Sequence, residues 1–380
     1  LPFLISAFFF ILPLGYSNFF IEPGNIPKWL LASLIAPILI FFCRPRMTAA
    51  HWTGCALIIW LAASSFWSVS PWMAFDRVWK FALAGMIFAA ASTLDARQYR
   101  HCVFAFGIGV AINALVAVGM KSGLVPIVSS AQIGQKFGIF TTTPTTPAAM
   151  MVNANYLAAA AVLAIVPLIV CGGRIWGRVV AILCFPALVL ALSKAAVVGI
   201  AGTAVAAMWR LSRKVAVAIL VISVGALCAY PFTLGVDGYG NSGFMHIKVK
   251  NRIVLAANTA SGITVFGHGA GSFWPIYPKY ANSVLDASQT EYSFNRRPRT
   301  AHNDFLTIAF EGGVVALALW LAFIAIILRR TIETREKLAA WLTTVAFLAL
   351  GLFHFAAFLP HSLFVAMLHA GYLAQKRPSK

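Results

Sequence analysis

Twelve apolar runs separated by short polar connections constrain this chain more than any other feature. They lie near residues 3–20, 28–43, 52–69, 74–94, 101–120, 150–171, 178–193, 194–209, 215–232, 303–328, 338–357 and 359–375. A helix needs roughly 20 apolar residues to cross a bilayer, and fewer where neighbours bury its ends. The expected fold class is therefore an all-α polytopic integral membrane protein with about 12 transmembrane helices. With 61% hydrophobic and only 10% charged residues, a chain of 380 residues does not close around a single water-soluble core. The first run lacks the basic n-region of a secretory leader and is expected to be a span. Cys43, Cys55, Cys102, Cys171, Cys184 and Cys228 fall in or at the ends of apolar runs without zinc or disulfide spacing, so they read as small packing residues.

The charge is one-sided, with 29 Lys and Arg against 10 Asp and Glu. A net charge of +19 can mark a nucleic-acid binder, but these basic residues are scattered at run ends instead of gathered on a polar domain. That distribution fits membrane topology and argues against nucleic acid. More than half of the basic residues, including Arg44, Arg46, Arg329 and Arg330, fall in alternate short loops and the C-terminal tail. Short loops rich in Lys and Arg stay inside, so both termini are expected to be cytoplasmic.

This orientation puts two longer polar segments on the outer face: residues 121–149, rich in Thr and Pro, and residues 233–302. About 70 residues is beyond the usual length of a structureless connection, so the second segment is expected to be partly helical and functional. Residues 245–261 suit a short helix lying on the membrane, and Gly267-His-Gly-Ala-Gly271 suits a turn where backbones approach closely. The expected division is 1–232 for helices 1–9, 233–302 for the large outer loop before helix 10, and 303–380 for helices 10–12 and a cytoplasmic tail.

The polar chemistry concentrates between Asn251 and Ala316. Lys248 and Lys279 read as solvated or headgroup-contacting cations. Arg252 and the cluster Arg296, Arg297 and Arg299 admit the same reading, or a phosphate site, because guanidinium matches phosphate oxygens in a two-pronged, charge-assisted way. His302 stands just before a span that Asn303 or Asp304 can cap. The partial positive charge at a helix start lowers a neighbouring histidine's pKa, and a neutral imidazole there can accept a proton from a sugar hydroxyl or simply hold an interfacial hydrogen bond. Gly312 and Ala316 form a small-xxx-small pair for close helix contact, with Glu311 beside them as a buried carboxylate of open role.

Arg252, then Phe266-Gly-His-Gly-Ala-Gly-Ser-Phe273, then His302-Asn303 followed by Gly313 and Ala316, resembles the signature region of the O-antigen ligase superfamily, which also contains O-antigen polymerases. Ala316 replaces a frequent glycine, and Leu255 lies three residues after Arg252 where the family pattern has four. Trp67-Ser68, Arg77, Asn153, Asn155 and Ser193-Lys194 look like the family's upstream elements, with Lys194 where arginine is common.

The resemblance implies a multi-pass enzyme of the bacterial inner membrane whose large loop and active site face the periplasm. It implies transfer of a glycan from an undecaprenyl pyrophosphate carrier to a sugar hydroxyl of lipid A-core, without cofactor or metal, or, in polymerases, to another lipid-linked glycan. By the same resemblance His302 and Arg252 are catalytic, and Arg252, Arg296, Arg297, Arg299 and Lys194 bind pyrophosphate. Asn303, Gly267, Gly269, Gly271 and Gly313 belong to the structural motif.

Competing readings are less well supported by the residues. A non-enzymatic lipid or solute transporter would carry more polar residues mid-span. A metal-dependent lipid-carrier glycosyltransferase would place an acidic pair near the first spans, where the outer loop offers only Glu22. A zinc site from His246, His268 and His302 lacks ligand spacing and a fourth donor.

Overall fold

The computed structural model describes residues 2–17, 25–124, 149–151, 153–191, 193–212, 252, 254–281 and 298–375. The expected span at 215–232, most of the 121–149 segment, His246, Arg296 and Arg297 lie outside these residues.

The described chain is helical, with no strand among the described residues. Its long elements are α1 (Pro2–Ile11), α2 (Ile26–Phe42), α3 (Ala49–Ser64), α4 (Pro71–Ala91), α5 (Ala96–Lys121), α6 (Ala154–Cys171), α7 (Arg178–Ala191), α8 (Lys194–Leu211), α9 (Asp304–Leu328), α10 (Arg335–Phe353) and α11 (Pro360–Ala374). Among the described residues, five stretches are long and apolar enough to cross a membrane: α3 extended to Trp67, α5, α6, α9 and α10. Helix α4 is as long as these but carries Asp76, Arg77 and Lys80.

The first apolar run is shorter as a helix than its composition promises. Helix α1 ends at Ile11, ten residues and roughly 15 Å of rise, too little to cross a bilayer alone. Pro13 explains the stop, since its ring disfavours helical geometry in the residue before it.

Helix starts follow local capping chemistry. Asp95 and Gln98 form a reciprocal capping box on α5, with bonds of 2.8 and 3.0 Å. Ser70 precedes Pro71 at the start of α4, Asn153 accepts from Asn155 N at 2.8 Å, and Thr334 caps α10.

Helix α6 lies in the centre, packed by α5, α7, α8, α10 and α11. Its run Ala158–Ala161 is wholly buried, and such small side chains let helix backbones approach where no hydrophobic drive separates protein from lipid. Helix α11 is buried along its whole length, with His369 bonded to the Tyr99 hydroxyl at 2.7 Å. A second, smaller core sits over the first half of α9: Leu255, Phe273, Ile276, Tyr277 and Ala301 close around Phe310. The large loop before α9 is thus folded in its described part, helical at 254–261 and again at Phe273–Ile276.

Candidate functional site

Helix α9 is broken where the glycine turn enters it. Gly313 has φ 75° and ψ −176°, outside any helical geometry. A break inside a membrane bundle frees backbone groups that water cannot satisfy, so other protein groups must pair them. Val314 N donates to Thr264 O at 3.1 Å, while His268 N and Gly269 N donate to Phe310 O and Glu311 O at 3.0 and 2.8 Å. The Trp60 indole donates to Gly312 O at 2.7 Å. The residues after the break pair with Thr264 and Val265, just ahead of the turn, so helix and turn form one unit.

This packing explains the glycines. A Cβ on Gly267 would lie 2.3 Å from Glu311 O, and one on Gly313 would lie 2.2 Å from Val265 O. Gly269 and Gly271 abut the backbone of Ser68 and Met73 in the same way. Ser68 Oγ donates to Ala270 O at 2.9 Å and Ala270 N donates to Ser64 Oγ at 3.0 Å, fastening the turn to the α3–α4 connection. Replacement of Gly313 by alanine is expected to cost about 3 kcal/mol of stability, because the backbone region is essentially glycine-only and a neighbouring carbonyl blocks the new methyl. The control is Gly123→Ala, where φ is 78° but no atom lies within 4 Å. Thermal midpoints of the purified variants check this, and equal shifts for the two would contradict it.

Below the turn, Arg77 of α4 reaches Glu311 with two bonds of 2.8 Å, and Gly271 N gives the same carboxylate a third at 3.1 Å. The guanidinium stacks 4.1 Å from the centre of the Phe358 ring. The role left open for Glu311 is therefore to join α4, α9 and the glycine turn.

The face above this scaffold brings Arg252 and His302 together. Asn303 Oδ1 accepts from Leu306 N at 3.0 Å, so it, and not Asp304, caps α9, while its amide donates to Leu352 O at 3.0 Å. Asp304 instead turns inward and accepts from Ala357 N at 2.9 Å. The start of α9 is thereby held against the end of α10. Arg252, exposed, donates to the adjacent carbonyl of Phe353. His302, just before α9, lies in the left-handed region, φ 52°, a conformation that non-glycine residues seldom adopt outside constrained sites.

Burial, and then the positive charge of Arg252, push the His302 pKa down to about 4. The imidazole is therefore neutral at ordinary pH, the form that can act as a proton acceptor. Because its folded pKa lies below the unfolded value near 6.5, it contributes stability above that value which is lost as pH falls through about 4.

A second histidine, not singled out from the sequence, completes the cluster. His354 is 4% exposed, its Nε2 has no hydrogen-bond partner among the described residues, and its ring packs on Phe355, as does His302, at centroid distances of 4.4 and 5.1 Å. Tyr156 stacks on the His354 ring at 5.7 Å. Burial, His302 and Arg252 hold the His354 pKa at about 3. Its sequence signal is a lone polar residue near the end of the apolar run 338–357.

The remaining residues named from the sequence are placed only in part by the described residues. Arg299 is exposed in the segment leading to His302. Lys194 opens α8, but its side chain is not among those described, and Arg296 and Arg297 are likewise outside the described residues. His268 belongs to the scaffold: its ring bonds Gly262 O at 2.7 Å. Among the described residues no group of histidine, cysteine and carboxylate side chains is placed to hold a metal ion.

No curated protein matches the chain. Residues 179–321, which include Arg252, the glycine turn, His302 and Gly313, match the family model described as O-antigen ligase, and this match supports the O-antigen ligase superfamily for the chain.

Proposed function

We propose that the protein transfers a glycan from undecaprenyl pyrophosphate to a sugar hydroxyl of lipid A-core at the periplasmic face of the bacterial inner membrane. The carrying observation is the meeting of Arg252 and His302 at the α9–α10 junction, inside the segment that matches the O-antigen ligase family. Displacement at the anomeric carbon releases a lipid diphosphate, on which negative charge grows in the transition state. A fixed guanidinium meets that charge, with Arg296, Arg297, Arg299 and Lys194 as further candidate cations, and interactions that strengthen as the bond breaks raise the rate more than uniform binding does. The neutral imidazole of His302 orients the acceptor hydroxyl and takes its proton.

The low pKa of His302 gives this reading a distinct pH signature. A diphosphate beside Arg252 offsets the cation that depresses the imidazole, so the pKa rises when donor binds. The acid limb of kcat, which reports the complex, is expected at higher pH than the acid limb of kcat/KM, which reports the free protein. Coincident limbs, or a His302→Ala variant of full activity, would remove His302 from the chemistry.

The deciding experiment supplies the purified protein with a lipid-diphosphate glycan and lipid A-core. Transfer to lipid A-core supports the ligase reading. Extension of the donor pool alone assigns a polymerase of the same superfamily, and no transfer to either rejects both.

A further inference from the structure

The half of the bundle away from Arg252 and His302 holds a cavity of about 360 Å³ that the proposed chemistry does not use. Its position follows from α3 and α9. The far end of α3 touches the glycine turn through Ser64, whereas the cavity is lined from the near end, at His51, Gly54 and Ile58. On α9 it is lined by Trp320 and Phe323, beyond the break at Gly313. The walls are almost wholly apolar. His51 does not change this, because its ring nitrogens are taken by Thr48 and Ser92 at 2.9 and 3.1 Å. Two polar groups near it are buried without a partner among the described residues, the Trp320 indole N–H and the Arg330 Nε.

One end of this cavity is basic. Pro45 and Met47 line it, and the chain carries Arg44 and Arg46 in alternation with them, both exposed. Arg330, at the end of α9, lies within electrostatic reach of His51. None of Arg44, Arg46, Arg329 and Arg330 takes part in the ion pairs formed among the described residues. An apolar slot of this size, with guanidinium groups near one end that join no ion pair among the described residues, complements an acyl chain attached to an anionic headgroup.

We infer that this cavity binds one acyl chain of an anionic phospholipid whose phosphate is held by Arg330 with Arg44 or Arg46. The site is separate from the Arg252–His302 cluster and does not depend on the reaction assigned there. A polyprenyl diphosphate is a different occupant, and a neutral phospholipid would leave the arginines unused.

The test uses the purified full chain in detergent, equilibrated with equal phosphatidylglycerol and phosphatidylcholine and read by native mass spectrometry. The expected result is one phosphatidylglycerol retained per chain. Arg330→Gln is expected to weaken its retention about fivefold, the effect of one cation near an anionic surface. Gly54→Leu is expected to abolish retention, since a Cβ there meets only the Phe323 ring at an ordinary 3.6 Å and the longer side chain extends into the slot. Should Gly54→Leu fail to fold, the wild-type comparison and Arg330→Gln decide alone. Equal retention of the two phospholipids, no retention by the wild type, displacement of phosphatidylglycerol by an equimolar polyprenyl diphosphate, or unchanged retention in Arg330→Gln would each overturn the inference.

Discussion

Replacing Arg252 by alanine is expected to lower glycan transfer by about 10²- to 10³-fold while the protein still reaches the membrane in normal amount. The magnitude is that of removing one preorganised donor from a site where charge develops in the transition state. Arg252 is exposed, and its described bond is to the last turn of α10, so its loss leaves no buried charge behind. The stability change should accordingly stay near 1 kcal/mol, the worth of an ordinary hydrogen bond. Arg252→Lys separates charge from geometry: lysine keeps the cation but loses the planar fork, so partial activity is expected with the same thermal midpoint. A fully active Arg252→Ala protein would sink the diphosphate site, and a protein that fails to accumulate would make Arg252 a folding residue instead.

The legibility of this chain divides along physical lines. Continuous apolar runs declare helices because a bilayer leaves the backbone few other ways to pair its groups, and so most elements lie where hydrophobicity placed them. Helix α1 departs from this because hydropathy ignores Pro13. The glycine turn was legible as a close approach, yet not what it approached. Only the folded chain brings Val265 against Gly313 and thereby breaks a helix that hydropathy reads as one span.

The site was legible in part for a similar reason. Arg252 and His302 stand out by residue type as candidates for phosphate binding and proton transfer, and only the family resemblance implies that they are catalytic. His354 is 52 positions beyond His302 and meets it only because Asn303 ties the start of α9 to the end of α10. Arg77 and Glu311 are 234 residues apart, and nothing in local spacing joins a cation early in α4 to a carboxylate beside a double glycine. Long-range pairing of lone polar residues leaves no periodic trace.

That pairing carries the largest stability effect expected in the protein. Glu311 is 2% exposed and takes bonds from Arg77 and from Gly271 N, so Arg77→Met leaves a carboxylate buried with its main partner gone. Loss of one partner from a buried pair costs about 3–5 kcal/mol, against an expected fraction of that when both charges go together. Arg77→Met with Glu311→Gln is the informative double replacement, because glutamine can still accept from Gly271 N while carrying no charge. Its thermal midpoint should recover most of what Arg77→Met loses. Transfer activity then separates two roles for Arg77. If the pair only positions the glycine turn, the double variant regains activity along with stability. Recovery of the midpoint with activity still absent would instead place the Arg77 guanidinium among the groups that meet the diphosphate.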